Sequence, residues 1–279
     1  MRARVDTQLA EVNIHYAVGF AKPIRFSIAS VYTFTGTAGS QVSNDKLGAD
    51  FQLLYSENTS ADDGGWYNVA RTVVIRWLPT SPYNGVFGAY GADSLTHELG
   101  HARGAVDEYA LGVTPANNPI NGQGFSGPTG FMTSPYGATT FSQYSKNIVN
   151  ASTTLLYSNA PFVGSAMPSS FSVKALQGGN PVSGANVTLY PVTWYSQSLS
   201  ATPVTSGTTS SSGVFTLGSN PFQPFSVGQN LPWDMAYPNF LVKVTSASKT
   251  GYGWLPLTQV GNAYFANPGA GFTLNINLV

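Results

Sequence analysis

His97-Glu98-Leu99-Gly100-His101 places two imidazoles four residues apart, with a carboxylate beside the first. On a helix, residues i and i+4 share a face, so both rings reach toward one metal ion. A carboxylate next to the first ring is suited to hold and deprotonate a metal-bound water. The chain has only three histidines, and its glutamates are Glu11, Glu57, Glu98 and Glu108. With His and Glu this scarce, HExxH would arise by chance roughly once in a few thousand chains of this composition, so the match carries more weight than the bare pattern usually does. The competing reading is a solvated polar helix face.

A catalytic zinc takes three protein ligands and keeps one position open for water. Downstream of Tyr109 there is no histidine or glutamate, and the one aspartate is Asp234. A third ligand from a later helix is therefore nearly excluded, and Asp107 and Glu108 are the near candidates. In an unbroken helix Glu108 would share the face of His97 and His101 but sit about 10 Å along the axis from His101. The chain must therefore turn, and Gly104 is where it can, since glycine accepts the left-handed conformation that ends helices. A turn there can bring Asp107 back toward the ion.

The full spacing, His97-Glu98-x-x-His101-x-x-Gly104-x-x-Asp107, resembles the extended zinc motif of the metzincin metallopeptidases, some small secreted members of which carry aspartate at the last position. That family also has a methionine turn beneath the metal, and Gly130-Phe131-Met132-Thr133-Ser134-Pro135 looks like it. Tyr136 is then similar to a tyrosine that some members place near the zinc, at a longer offset from the methionine than usual; Tyr109 and Tyr144 compete for that role. The triplet Asp107-Glu108-Tyr109 is also similar to one in the IgA-peptidase-type metallopeptidases, which carry it one residue later. The resemblance covers roughly residues 85–150. It implies zinc-dependent hydrolysis of a protein or peptide substrate, with His97, His101 and Asp107 as ligands and Glu98 and Tyr136 as catalytic groups. The chemistry agrees, since Glu98 would move the water proton to the leaving amine and a tyrosine hydroxyl would stabilise the oxyanion.

Composition narrows the setting. Charged residues make up 9% of the 279 and the formal net charge is zero. That argues against nucleic acid as a partner. Cysteine is absent, which excludes disulfides and thiol catalysis. A surface carried by Ser, Thr, Asn, Gln and Gly reads as extracellular; no leader is visible in the first twenty residues, so a secreted protein would have lost it. No apolar run is long enough to span a membrane. Asp45, Asp50, Asp62 and Asp63 read as solvated loop acids, with a structural Ca2+ site as the minority alternative. His15 reads as structural or exposed.

The elements expected to position the site form an α+β metallopeptidase domain over residues 1–160, a twisted sheet plus an active-site helix. Val12 to Phe20 alternates like a strand, although Val5, Leu9, Val12, Tyr16 and Phe20 also make a helical stripe. Ile24–Phe34, Phe51–Tyr55 and Thr72–Trp77 are strand candidates, and Asn84–Gly91 a Gly-rich loop. Asp93 or Ser94 would cap the histidine helix. A short helix is expected after Thr139 or Thr140.

From about Ser165 short alternating segments separated by Gly/Pro/Ser/Thr turns predict an all-β sandwich over 165–279: Phe171–Leu176, Ala185–Tyr190, Gly213–Leu217, Phe240–Thr245, Trp254–Thr258 and Phe272–Val279. Gly179 to Leu189, Thr209 to Leu217 and Phe240 to Val244 resemble transthyretin-like and carboxypeptidase-regulatory-like modules. A spacing or stabilising role is expected of this part. The leading expectation is a secreted zinc endopeptidase. The alternative is a non-enzymatic extracellular structural or adhesive protein with a vestigial or latent metal site.

Overall fold

A computed structural model of the chain describes residues 2–18, 20, 24–31, 52–56, 65–68, 72–76, 91–151, 166–193, 196–222 and 237–279. Helices occur together with largely antiparallel sheets. The chain divides into two compact units: the first gathers Met1–Val106 and Thr129–Ala160, and the second gathers Asp107–Pro128 with most of the chain after Pro161. The sequence places one cut near residue 160; the grouping of Asp107–Pro128 with the later residues has no counterpart in that reading.

In the first unit, α1 (Arg2–Ala17) settles the ambiguity of its sequence. A strand over 12–20 would turn residues 12, 14, 16, 18 and 20 to one side. Instead Val12 and Tyr16 are fully buried while Ile14 and Val18 are 62% and 66% exposed. The helical stripe wins because Gln8, Val12 and Tyr16, four apart, go inward together. Ile24–Val31 forms no strand over its described residues. The backbone of Phe26 pairs instead with a side chain: Asn13 Nδ2 donates to Phe26 O at 2.9 Å and Phe26 N donates to Asn13 Oδ1 at 2.7 Å.

Among the described residues three strands follow, β1 (Gln52–Ser56), β2 (Gly65–Asn68) and β3 (Thr72–Arg76), in the order β1-β3-β2. The β1–β3 pair is parallel and the β2–β3 pair antiparallel. Helix α2 (Gly91–Ala102) lies against α1, β2 and β3. The expected loop acids Asp45, Asp50, Asp62 and Asp63 and the expected loop over 84–90 fall outside the described residues. Helix α3 (Gln143–Ala151) closes this part, with Tyr144, Ile148 and Val149 buried. Tyr16, Phe20, Phe131 and Phe141 form an aromatic cluster with neighbouring ring centroids 5.1–5.5 Å apart. Tyr16 Oη donates to Thr96 O at 3.0 Å, tying α1 to α2.

The second unit holds β4 (Phe171–Gln177), β5 (Asn180–Pro181), β6 (Asn186–Val192), β7 (Thr205–Thr208), β8 (Val214–Thr216), β9 (Asn239–Ser246), β10 (Lys249–Pro256) and β11 (Phe272–Asn277). One sheet runs β10-β9-β6-β7; the other joins β11, β4 and β5, with β8 on β4. All pairs in these sheets are antiparallel except β11 with β4. Alternation is explicit on β4, where Phe171, Val173 and Ala175 are buried.

One expected strand needs correction. Alternation predicts an extended Trp254–Thr258, but the chain turns helical at Leu257, and α4 (Leu257–Ala266) separates β10 from β11. Leu257, Thr258, Val260 and Gly261 are its buried residues, and Pro256 stands at its N-cap.

Candidate metal centre

Helix α2 carries His97, Glu98 and His101, all buried. Asp93 lies in its first turn rather than at its cap, because the helix begins at Gly91. The carboxylate of Asp93 serves elsewhere, accepting from Gly137 N at 2.8 Å.

The helix ends as the glycine spacing demands. Gly104 has φ +89°, in the left-handed region. Gly104 N donates to His101 O at 2.9 Å and Ala105 N to Gly100 O at 3.0 Å. These are the two bonds of a Schellman termination, which satisfies the last carbonyls of the helix and reverses the chain. Ala105 and Val106, fully buried, lead into Asp107, whose φ and ψ are −65° and 95°. A 3-10 turn, Glu108–Leu111, follows.

The outcome is one candidate group among the described residues. His97, His101 and Asp107 each offer a ligand atom, and these atoms lie within 4.8 Å of one another. Ligands about 2.1 Å from a tetrahedral ion stand about 3.4 Å apart, a separation inside that limit. The two imidazole planes are nearly perpendicular, at 86°, with centroids 4.8 Å apart.

Backbone carbonyls fix the chemistry of both rings. His97 Nδ1 is 2.7 Å from Phe131 O, and His101 Nδ1 is 2.9 Å from Ala105 O. A carbonyl only accepts, so Nδ1 must carry the proton in each ring. In the neutral imidazole this puts the lone pair on Nε2, the atom a metal ion would take. Metal-ligating histidines almost always show such support. The Schellman turn thus acts twice: it redirects the chain toward Asp107 and aims the Ala105 carbonyl at His101.

Met132 is fully buried beneath α2. A Cβ added to Gly100 would stand 2.8 Å from Met132 Sδ and 3.2 Å from Phe141 Cε1, so only glycine lets the methionine approach this closely. The turn around it is held by Thr133 N and Ser134 N, both donating to Gly130 O at 3.0 Å. Phe131 N donates to Thr140 O, anchoring the residue whose carbonyl supports His97.

Glu98 is 7% exposed and Glu108 fully buried; Glu108 lies outside the three-residue group. Tyr136 is 37% exposed, in the turn just before Gly137. His15 faces Asp93, with Nε2 to Oδ1 3.7 Å, and stands edge-on to Phe131 with ring centroids 4.6 Å apart. Partial burial lowers the His15 pKa below its ordinary value, against the pull of Asp93 and Glu11. Burial likewise raises the Asp93 pKa, against the Gly137 hydrogen bond and His15.

Sequence reasoning did not single out Phe131 or Ala105 for their carbonyls, nor Asn239 and Gln197, which bond to the turn after Asp107. Asn239 Nδ2 donates to Leu111 O at 3.1 Å and Gln197 Nε2 to Tyr109 O at 3.2 Å. Backbone acceptors leave no mark on residue type, so no motif could have indicated them. No protein-family model matches this chain, and no curated protein matches it.

Proposed function

We propose that the chain is an extracellular zinc-dependent endopeptidase of metzincin type. The observation that carries the reading is the His97–His101–Asp107 group with both Nδ1 atoms bonded to backbone carbonyls. Two neutral imidazoles and a carboxylate are a donor set suited to zinc.

His97, His101 and Asp107 would hold the ion. Zinc, when bound, supplies Lewis-acid polarisation of a peptide carbonyl and a water acidified toward neutrality. Glu98, next to His97 on the same helix, takes up the water proton and passes it to the leaving amine. Tyr136 is assigned as the hydroxyl donor to the oxyanion. Met132, packed at Gly100 between the two histidines, keeps the helix floor in place.

The proposal includes a metallopeptidase domain over 1–160 and a transthyretin-like sandwich over 165–279. Among the described residues no helix is long and apolar enough to cross a membrane. The test is metal analysis of protein purified without chelators, paired with a casein or gelatin assay. One zinc per chain and chelator-sensitive cleavage are expected. Stoichiometric zinc with no cleavage of any peptide library would favour the latent or structural alternative, and absence of zinc would overturn the reading.

A further inference from the structure

The residues after Asp107 are gripped through their main-chain carbonyls. Tyr109 O accepts from Gln197 Nε2, and Leu111 O accepts from Asn239 Nδ2. A Cβ added to Gly127 would stand 2.8 Å from Glu108 O, so the backbone of Gly127 lies directly behind that carbonyl. Glu108, Ala110 and Leu111 are fully buried. Ala110 N donates to Asp107 O, which joins the same short turn to Asp107 itself.

The gripping residues belong to the C-terminal β part. Asn239 is fully buried at the start of β9, and its Oδ1 accepts from Phe240 N, which fixes the amide orientation. Gln197 sits between β6 and β7 with φ +51°, a left-handed backbone that an L-residue adopts at a cost. Its own carbonyl accepts from Asn117 Nδ2 at 3.4 Å. Leu199 N donates to Asn117 O at 3.0 Å. Val113 packs with Val192, Leu199 and Leu241, backed by Phe125 and Trp254. The whole stretch from Asp107 to Pro128 is thus integrated into the C-terminal β part.

From this we infer that Asn239 and Gln197 are positioning residues for Asp107: they hold the Glu108–Leu111 turn that follows it and so fix the carboxylate that the His97–His101–Asp107 group requires. This rests on the metal reading above. His97 and His101 are presented by their helix, but a carboxylate on an irregular segment has no such scaffold. Its placement depends on whatever fixes the neighbouring backbone, as supporting groups do around metal ligands generally.

The experiment measures zinc affinity of the full-length protein by competition with a chromophoric chelator, using zinc ion alone as probe, together with thermal melting. Gln197→Gly removes the side-chain bond while relieving the left-handed strain, so its fold should melt no lower than the unaltered protein. Its zinc Kd should nevertheless rise about 3- to 10-fold, and Asn239→Ala should raise it about 10-fold. Val187→Ala, in the buried face of β6, serves as a control for general loosening and should leave Kd unchanged. In an Asp107→Ala background, Asn239→Ala should have no further effect on Kd, because the residue acts through Asp107. Unchanged Kd in both Gln197→Gly and Asn239→Ala would overturn this inference while leaving the metal site standing. So would equal losses in the Val187→Ala control or in the Asp107→Ala background. If the unaltered protein bound no zinc, the metal reading itself would fall, and this inference with it.

Discussion

Replacing Gly104 with alanine tests the link between helix termination and metal binding. Gly104 has φ +89°, and its two flanking hydrogen bonds, to His101 O and from Ala105 N to Gly100 O, close the turn. A Cβ in the left-handed region costs about 1–2 kcal/mol. Alanine also restricts the unfolded chain, but that gain appears only where the native backbone suits it, which is not the case here. The variant either bears this strain or opens the turn. Opening separates the Ala105 carbonyl from His101 Nδ1 and displaces Asp107, so the strain falls on the metal-competent state. A cost of about 1–2 kcal/mol corresponds to a zinc Kd about 5- to 30-fold higher. The metal-free protein should melt about 2–4 °C lower for each kcal/mol retained as strain. Gly104→Asn should lie between glycine and alanine, since asparagine enters the left-handed region more readily. Chelator competition measures Kd, and differential scanning calorimetry with and without zinc measures stability. If Gly104→Ala matched the unaltered protein in both, or if Asn were as damaging as Ala, the turn would not be what holds Asp107 in place.

Other perturbations separate ligand, base, floor and electrostatic neighbour. His101→Ala should abolish stoichiometric zinc at neutral pH by elemental analysis; a full equivalent retained would remove His101 from the ligand set. Glu98→Ala should keep zinc and the fold but lower peptide cleavage at least ~100-fold, and near-normal turnover would place the general base elsewhere. Gly100→Ala drives a methyl against Met132 Sδ and should cost about 1–3 kcal/mol in denaturant unfolding, an overpacking penalty that Met132→Ala in the same chain should relieve. The folded His15 pKa lies below the ordinary 6.5, so the native state binds fewer protons than the unfolded chain. This group therefore contributes stability above pH 6.5 that is lost as pH falls from there through the folded value. Asp93→Asn removes the leading charge that opposes burial and should lower the His15 pKa further, followed by NMR titration of the imidazole; an upward shift would contradict the assignment of causes.

Several local features were legible without coordinates. The i, i+4 spacing of His97 and His101 follows from helix geometry alone. Gly104 announced the turn because few other residues accept its backbone conformation. Strands β1, β3, β4, β6 and β9 lie close to where alternation and β-branched content place them. Other elements were ambiguous because two periodicities fitted the same residues. Val12–Phe20 satisfied both a strand and a helix, and the choice came from which side chains found a buried partner: Tyr16 meets Thr96 and Phe141, while Ile14 and Val18 face solvent. Helix α4 was hidden because its short stripe continues directly from a strand.

What the sequence alone determined is the set of groups that could share one ion, and the place where the chain must reverse to gather them. Both depend on interactions within a few residues, which the backbone period and the freedom of glycine dictate. Only the tertiary structure decided which atoms of those groups would face a metal. The proton on His97 is set by the carbonyl of Phe131, 34 residues further on. The turn after Asp107 is held through Leu111 O by Asn239, 128 residues away. Every residue carries a backbone carbonyl, so residue type does not reveal which one a buried donor will meet; the packing of the chain decides it.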